Sequence, residues 1–245
     1  MSPPKIIVHW LEASRAHRIL WLLEELELEY TVKLYKRSDE KRAPEELKTL
    51  HPFGKSPLLE LEFEDGKKTV LAESGHIINY LISKFDKTGK FKAANDKDSE
   101  LIDYYLHMSE ATLQPPISML AVLAVGDAKA PFMIRSVVQK YNQHLRTAYN
   151  FLEITMVLDY LEDELKKTGG LYFVGGKLSA ADIMLVYPVA QVCFMSDRLS
   201  EVVTKAKYPN LAKWSDYIIG LPAFQKSVKR VEEQGKGKYS IHKLK

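Results

Sequence analysis

HPFGKSPLLELE, residues 51–62, decides how this chain is read. Leu58 to Leu61 has the apolar density of a buried strand, yet Pro57 stands at its head. Proline donates nothing to a sheet ladder and is confined to a strand's first residue, an edge or a bulge. A core strand that opens on proline leaves a neighbouring backbone free to grip something else. The plain alternative is a turn proline starting an edge strand.

Working outward, the first third alternates strand and helix. KIIVHW (5–10) is an apolar, β-rich run, and from Arg15 the period changes. Ile19, Leu22, Leu23 and Leu26 fall on one helical face. YTVKLY (30–35) alternates like a half-buried strand, and APEELKTL (43–50) is a short helix with Pro44 in its first turn. GKKTVLAE (66–73) turns through Asp65-Gly66 into a fourth strand, and SGHIINYLISKF (74–85) is an amphipathic helix. The order is βαβαββα. After a polar stretch everything is helical in character: 99–126 as one long helix bent at Pro115-Pro116, 131–170 as another ended by Gly169 and Gly170, then 178–191 and 208–233. The expected division is an α/β domain over 1–86, a linker over 87–97, an all-α domain over 98–232 and a basic tail over 233–245. Two such domains meet across a cleft, and clefts of this kind are favoured ligand sites.

Composition narrows the function class. The chain has 245 residues, 46% apolar and 27% charged, with a formal net charge of +3. That charge is too mild to argue for nucleic acid, which wants basic residues gathered on one face. The basic cluster is Lys226 to Lys245, with seven Lys or Arg against Glu232 and Glu233. Such a tail is a solvated end or a weak contact with a membrane surface. Cys193 is the single cysteine, so no intrachain disulfide and no cysteine-based metal site can form. MSPPKIIVHW lacks a signal peptide's apolar stretch, and no window approaches the roughly 18 apolar residues that span a bilayer. The expectation is a cytoplasmic protein, with peripheral membrane association through the tail as the variant.

A βαβαββα unit whose third strand opens on proline resembles the thioredoxin fold. The resemblance implies a cis bond before Pro57 and a backbone N–H and C=O of Ser56 turned towards the active site, a one-residue form of strand addition. Thioredoxins and glutaredoxins carry a cysteine between strand one and helix one; here that place reads HWLEASRAHR. Thiol–disulfide exchange needs a protein thiolate, so this chemistry is not expected.

SRAHRILWLLEEL (14–26), HPFGKSPLLE (51–60), LAESGHIINYL (71–81) and GGKLSAADIML (175–185) resemble, in order, the recurring blocks of cytosolic glutathione S-transferases. The similarity is to the fungal and bacterial serine-type members whose first helix reads LWLLEEL. It implies a thioredoxin-like domain that binds glutathione as substrate rather than cofactor, an all-helical domain, and a homodimer.

By that resemblance Ser14, four residues before Arg18, carries the catalytic hydroxyl that hydrogen-bonds the glutathione sulfur. A free thiol has a pKa of about 8.5, and a helix N-terminus with a donor favours the anion. Ser14 is alternatively a plain N-cap; His9, Trp10 and Arg15 stand in reserve. Glu73 and Ser74 complement the γ-glutamyl ammonium and carboxylate, a helix N-terminus being an anion site; an N-cap is the simpler role for Ser74. Lys55 is placed to meet the glycine carboxylate, unless it is surface decoration, and His51 either assists or only turns the chain. Ser179 and Asp182 form a capping box flanked by Leu178 and Ile183, a structural device. The acceptor pocket is expected from Tyr105 and Met108, with Tyr104, His107 and Leu113 beside them; an aromatic and methionine stripe at helical spacing is also how a core reads. Cys193 reads as a small buried hydrophobe.

The leading function is thus a glutathione transferase acting on apolar electrophiles, with hydroperoxide reduction as a side activity. The alternatives are a non-catalytic binding or regulatory module and a disulfide reductase, the latter disfavoured by the missing cysteine.

Overall fold

A strand that is apolar along nearly its whole length belongs at the centre of a sheet covered on both faces. β1 (Lys5–Leu11) takes that place in the computed structural model, which describes residues 4–239 and 241. The sheet order is β2-β1-β3-β4, with β2 spanning Tyr30–Tyr35, β3 Leu58–Glu62 and β4 Lys68–Ala72. β1 runs parallel to β2 and antiparallel to β3, and β4 is antiparallel to β3. α1 (His17–Glu25) and α3 (Ser74–Phe85) cover one face through Ile19, Leu22, Leu23, Ile77, Ile78 and Leu81. The short α2 (Glu46–Leu50) covers the other, where Leu47 packs with Leu11, Tyr35 and Leu58. This is the expected βαβαββα order, followed by a helical domain.

Asp86 accepts from the N–H groups of Lys90 and Phe91 and so folds the connection into α4 (Asp96–Lys129). The Pro115-Pro116 pair does not simply kink this helix. Proline lacks an N–H and crowds the carbonyl four residues back. The conflict is absorbed one turn earlier, where Ser109–Leu113 widens into a π-type turn. α5 (Phe132–Thr168) returns at 117° to α4 and has its own wide turn at Arg146–Asn150. There buried Asn150 reaches back to donate to the Pro116 carbonyl at 2.9 Å. Gly169, at φ 87°, ends α5 in the left-handed conformation that glycine adopts without strain.

α6 (Ala180–Phe194) starts at the capping box: Asp182 accepts from the Ser179 N–H and hydroxyl, and also from the Phe173 N–H and the Trp214 indole. Cys193 is buried within α6. α7 (Pro209–Gly220) and α8 (Pro222–Gln234) complete the domain. α8 packs on α1, so the apolar core runs through both domains. The first part of the basic stretch is therefore helix, with Lys226 and Arg230 both bonded to Glu24 of α1. Further along, Tyr239 packs edge-on to Trp10, and Ile241 is buried. This differs from a solvated end, because α8 and these two side chains have apolar surface to hide. Residues 240 and 242–245 lie outside the described residues.

Candidate active site

The sheet register brings the expected site residues to one end of the molecule. Leu58, at the start of β3, pairs with His9 near the end of β1 and with Ala72 at the end of β4. Residues just after Leu11, just before Leu58 and just after Ala72 must therefore converge. These are the turn of Ser14, the Ser56–Pro57 step and Glu73-Ser74.

The β1–α1 turn is braced from the loop after β2. Arg37 donates through Nε to the Glu12 carbonyl and through Nη2 to the Ala13 carbonyl, both at 3.1 Å, and its own N–H donates to the Glu12 carboxylate. Ser14 Oγ, half-buried, accepts from the Ala16 N–H at 3.2 Å. Ser14 is not the N-cap, which is Ala16; its lone pair ties the turn ahead of α1 and leaves the hydroxyl proton available to a ligand.

The Ser56–Pro57 bond is cis. Ser56 Oγ donates to the His9 carbonyl at 2.8 Å and accepts from the Leu11 N–H at 3.2 Å, clamping the step to the end of β1. Its own backbone N–H and C=O take no partner among the described residues. Lys55 is exposed and forms no ion pair among the described residues. His51 serves the turn, its Nδ1 meeting the Phe53 N–H and its ring lying edge-on to Phe53. Of the reserve residues, Trp10 is buried in the core. His9 is also fully buried, between the Tyr35 hydroxyl at 2.8 Å and Glu60 at 3.1 Å. Burial lowers the His9 pKa against the pull of Glu60, so it is a neutral sheet residue.

Glu73 stands at φ 68°, a sparsely populated region for a residue with a side chain, just before the first turn of α3. Strain at such a position is a pointer to function. Its side chain is exposed, while Ser74 is buried beneath it. The first N–H groups of α3 point out of the helix end, as an anion would need.

Underneath lies Arg18, a residue the sequence pattern marked without a role. Its guanidinium is fully buried at the domain boundary. It donates to Ser74 Oγ at 3.4 Å, to Ser109 Oγ at 3.3 Å and to the Glu110 carboxylate, and it lies over the Tyr187 ring. Glu110 also pairs with Arg15 at 3.2 Å. Burial works against the Arg18 charge, and Glu110 is the main influence holding it. Ser109, Glu110 and Tyr187 had no sequence signal, since their role exists only where the domains meet.

The acceptor expectation needs correcting. Tyr105 is fully buried in the helical core against Phe173, and no ligand can touch it as it stands. Met108 lines a groove of about 380 Å³ with Tyr104, His107, Met156, Val157 and Tyr160. That groove lies between α4 and α5 and contains no residue of the sheet domain. Leu113 is buried core. Ser109 and Glu110, at the start of the wide turn, meet Arg18, while Tyr105 faces Phe173 and Met108 faces the groove.

The domain family described as "Glutathione S-transferase, N-terminal domain" matches residues 4–83, and "Glutathione S-transferase, C-terminal domain" matches residues 113–222. Glutathione S-transferase 1 of Saccharomyces cerevisiae is 39% identical over 237 residues, covering 96% of this chain and 99% of that protein. Among solved structures, a glutathione S-transferase from Actinobacillus pleuropneumoniae superimposes with a TM-score of 0.70 at 30% identity, over 96% of this chain and 94% of that one. A glutathione transferase homolog from Lodderomyces elongisporus, solved with two glutathione molecules per subunit, gives 0.69 at 25% identity, over 93% and 98%.

Proposed function

The chain belongs to the glutathione S-transferase family of enzymes, and from that premise we propose that it holds glutathione as its thiolate and transfers it to apolar electrophiles by a serine-type mechanism. The observation that carries the reading is the convergence of the Ser14 turn, the unpartnered backbone of Ser56 and the N-terminus of α3 at one end of the sheet. The cysteinyl backbone of the tripeptide pairs with Ser56, its γ-glutamyl end lies at Glu73 and Ser74, and its glycine carboxylate meets Lys55. The Ser14 hydroxyl donates to the sulfur, and the start of α1 adds its dipole. The thiolate attacks the electrophilic carbon, the leaving group departs with the bonding pair, and the thiol proton goes to solvent. With an organic hydroperoxide the same thiolate attacks the terminal oxygen, the O–O bond breaks and the alcohol leaves, and a second glutathione displaces water from the resulting sulfenic acid to give the disulfide. The enzyme works in the cytoplasm.

The working form is a homodimer. Phe53 is 68% exposed at the tip of the turn after α2, with exposed Lys48 and Lys55 nearby. The groove between α4 and α5 is apolar and flanked by exposed Asp103 and Asp159. Knob and hole of opposite charge on one surface suit a two-fold contact in which each subunit offers both. Phe53→Ser should then shift the protein towards monomer in sedimentation, and an unchanged dimer would remove Phe53 from the contact.

The deciding experiment is retention on immobilised glutathione followed by an assay with a generic aryl halide. Retention with turnover supports the proposal, retention alone leaves a binding module, and neither ends it.

A further inference from the structure

From the tip of the helical hairpin we infer a docking surface for an anionic lipid membrane, independent of the thiol chemistry. Where α4 turns into α5, Phe132 and Met133 are 88% and 91% exposed, and Ile134, Val137 and Tyr141 are exposed behind them. Large apolar side chains so bare at a projecting turn call for a covering partner. The charge around them says which. From Ala128 to Leu152 there is no Asp or Glu, while Lys129, Arg135 and Lys140 are exposed and form no ion pair among the described residues. The base of the same hairpin is the opposite, with Glu153, Asp159, Glu162, Asp163 and Glu164. Arg135 and Lys140 have no acidic partner among the described residues, and Lys129 has only the exposed Glu40 within electrostatic reach. Bulky apolar groups beside these cations match a lipid surface, apolar below the headgroups and anionic at them.

A second copy fits poorly. A two-fold contact tip to tip would set these cations against their own images, and a dimer seated on the groove between α4 and α5 leaves Phe132 and Met133, at the far end of α5 from Met156 and Tyr160, still to be covered. No single helix among the described residues is long and apolar enough to cross a membrane, so the contact is peripheral. Lys129 acts electrostatically on Glu40, in the loop after β2. Arg37 of that loop ties it to the Ser14 turn. Docking by the tip therefore sets this side of the molecule towards the lipid.

The test is co-sedimentation of the full chain with vesicles of phosphatidylcholine alone and of phosphatidylcholine with phosphatidylserine. The protein should pellet with the mixed vesicles, less so as salt is raised. The triple change Phe132→Ser, Met133→Ser, Ile134→Ser should keep it in the supernatant with an unchanged circular dichroism spectrum. Replacing Lys129, Arg135 and Lys140 by Ala should lower partitioning on the order of a hundredfold at low salt, at about fivefold per charge. Met133→Trp gives an independent readout, a blue shift in fluorescence on adding mixed vesicles. Equal partitioning of wild type and triple variant overturns the inference. So does a triple variant whose gel-filtration volume changes while its vesicle binding does not, since a second copy would then cover the tip.

Discussion

At the scale of single residues, the chemistry asked of Ser14 is a stabilised anion. Lowering a thiol pKa by about two units takes about 2.7 kcal/mol, within reach of one good donor beside a helix terminus. Ser14→Ala should therefore return the bound thiol towards its free pKa and cut conjugation roughly twentyfold at neutral pH, as the thiolate fraction falls, with retention on immobilised glutathione intact. Thiolate absorbance of the binary complex, followed against pH, reads the shift directly, and an unmoved titration would show that another group holds the anion. Glu73 tests the other end. Glu73 leads directly into α3 with its side chain exposed, so Glu73→Ala should weaken glutathione binding by about 2 kcal/mol, some thirtyfold. Calorimetry with the tripeptide checks this; equal affinity would remove the γ-glutamyl assignment. Ser14, Ser56, Glu73 and Ser74 were legible because each sits beside a break in the chain's rhythm, where proline or a helix start forces the backbone to turn. Arg18 was half-legible: its spacing from Ser14 was visible, but its Ser109 and Glu110 partners come from a helix about 90 residues away.

Among elements, periodicity sufficed where one face is buried. The strands, α1 and α3 follow from alternation and the 3.6-residue period. It did not decide α4, because an aromatic and methionine stripe at helical spacing reads alike as core and as pocket lining. The residues expected at the crevice from this bent helix are Tyr105 and Met108, whereas the structure buries Tyr105 against Phe173 and brings Glu110 to Arg18. The capping box of α6 was legible because it is local, needing only Ser179 and Asp182 three residues apart. Its third dimension was not, since Asp182 also holds the Trp214 indole at 3.0 Å. Ser179→Ala should cost about 1 to 2 kcal/mol in denaturant unfolding. Asp182→Ala strands the buried donors of Phe173, Ser179 and Trp214 and should cost 3 kcal/mol or more. If the two variants cost the same, the carboxylate serves the cap alone.

For the whole molecule, the question is what keeps the two domains in one geometry, since a site built at their boundary is only as defined as the boundary. Arg18 holds one side of the seam and Glu24 the other. The Glu24 carboxylate is almost wholly buried and takes Lys226 at 2.7 Å, Arg230 at 2.9 Å and the Tyr30 hydroxyl at 2.7 Å. Burial raises its pKa, but Lys226, Tyr30 and Arg230 together outweigh burial, and the net position is below the ordinary carboxylate range. A carboxyl depressed in this way binds fewer protons folded than unfolded. Its contribution is therefore complete above the ordinary carboxylate pKa and drains away as pH falls through the lower, folded value. Glu24→Gln should cost about 2 kcal/mol at neutral pH and much less in acid, so its unfolding midpoint should converge on the wild type as pH drops. Two pH–stability curves that stay parallel into acid would show that Glu24 is not the group linking α8 to α1. Because α1 also carries Ser14's turn and Arg18, a seam loosened at Glu24 should raise the KM for glutathione before it lowers the melting temperature by more than a few degrees.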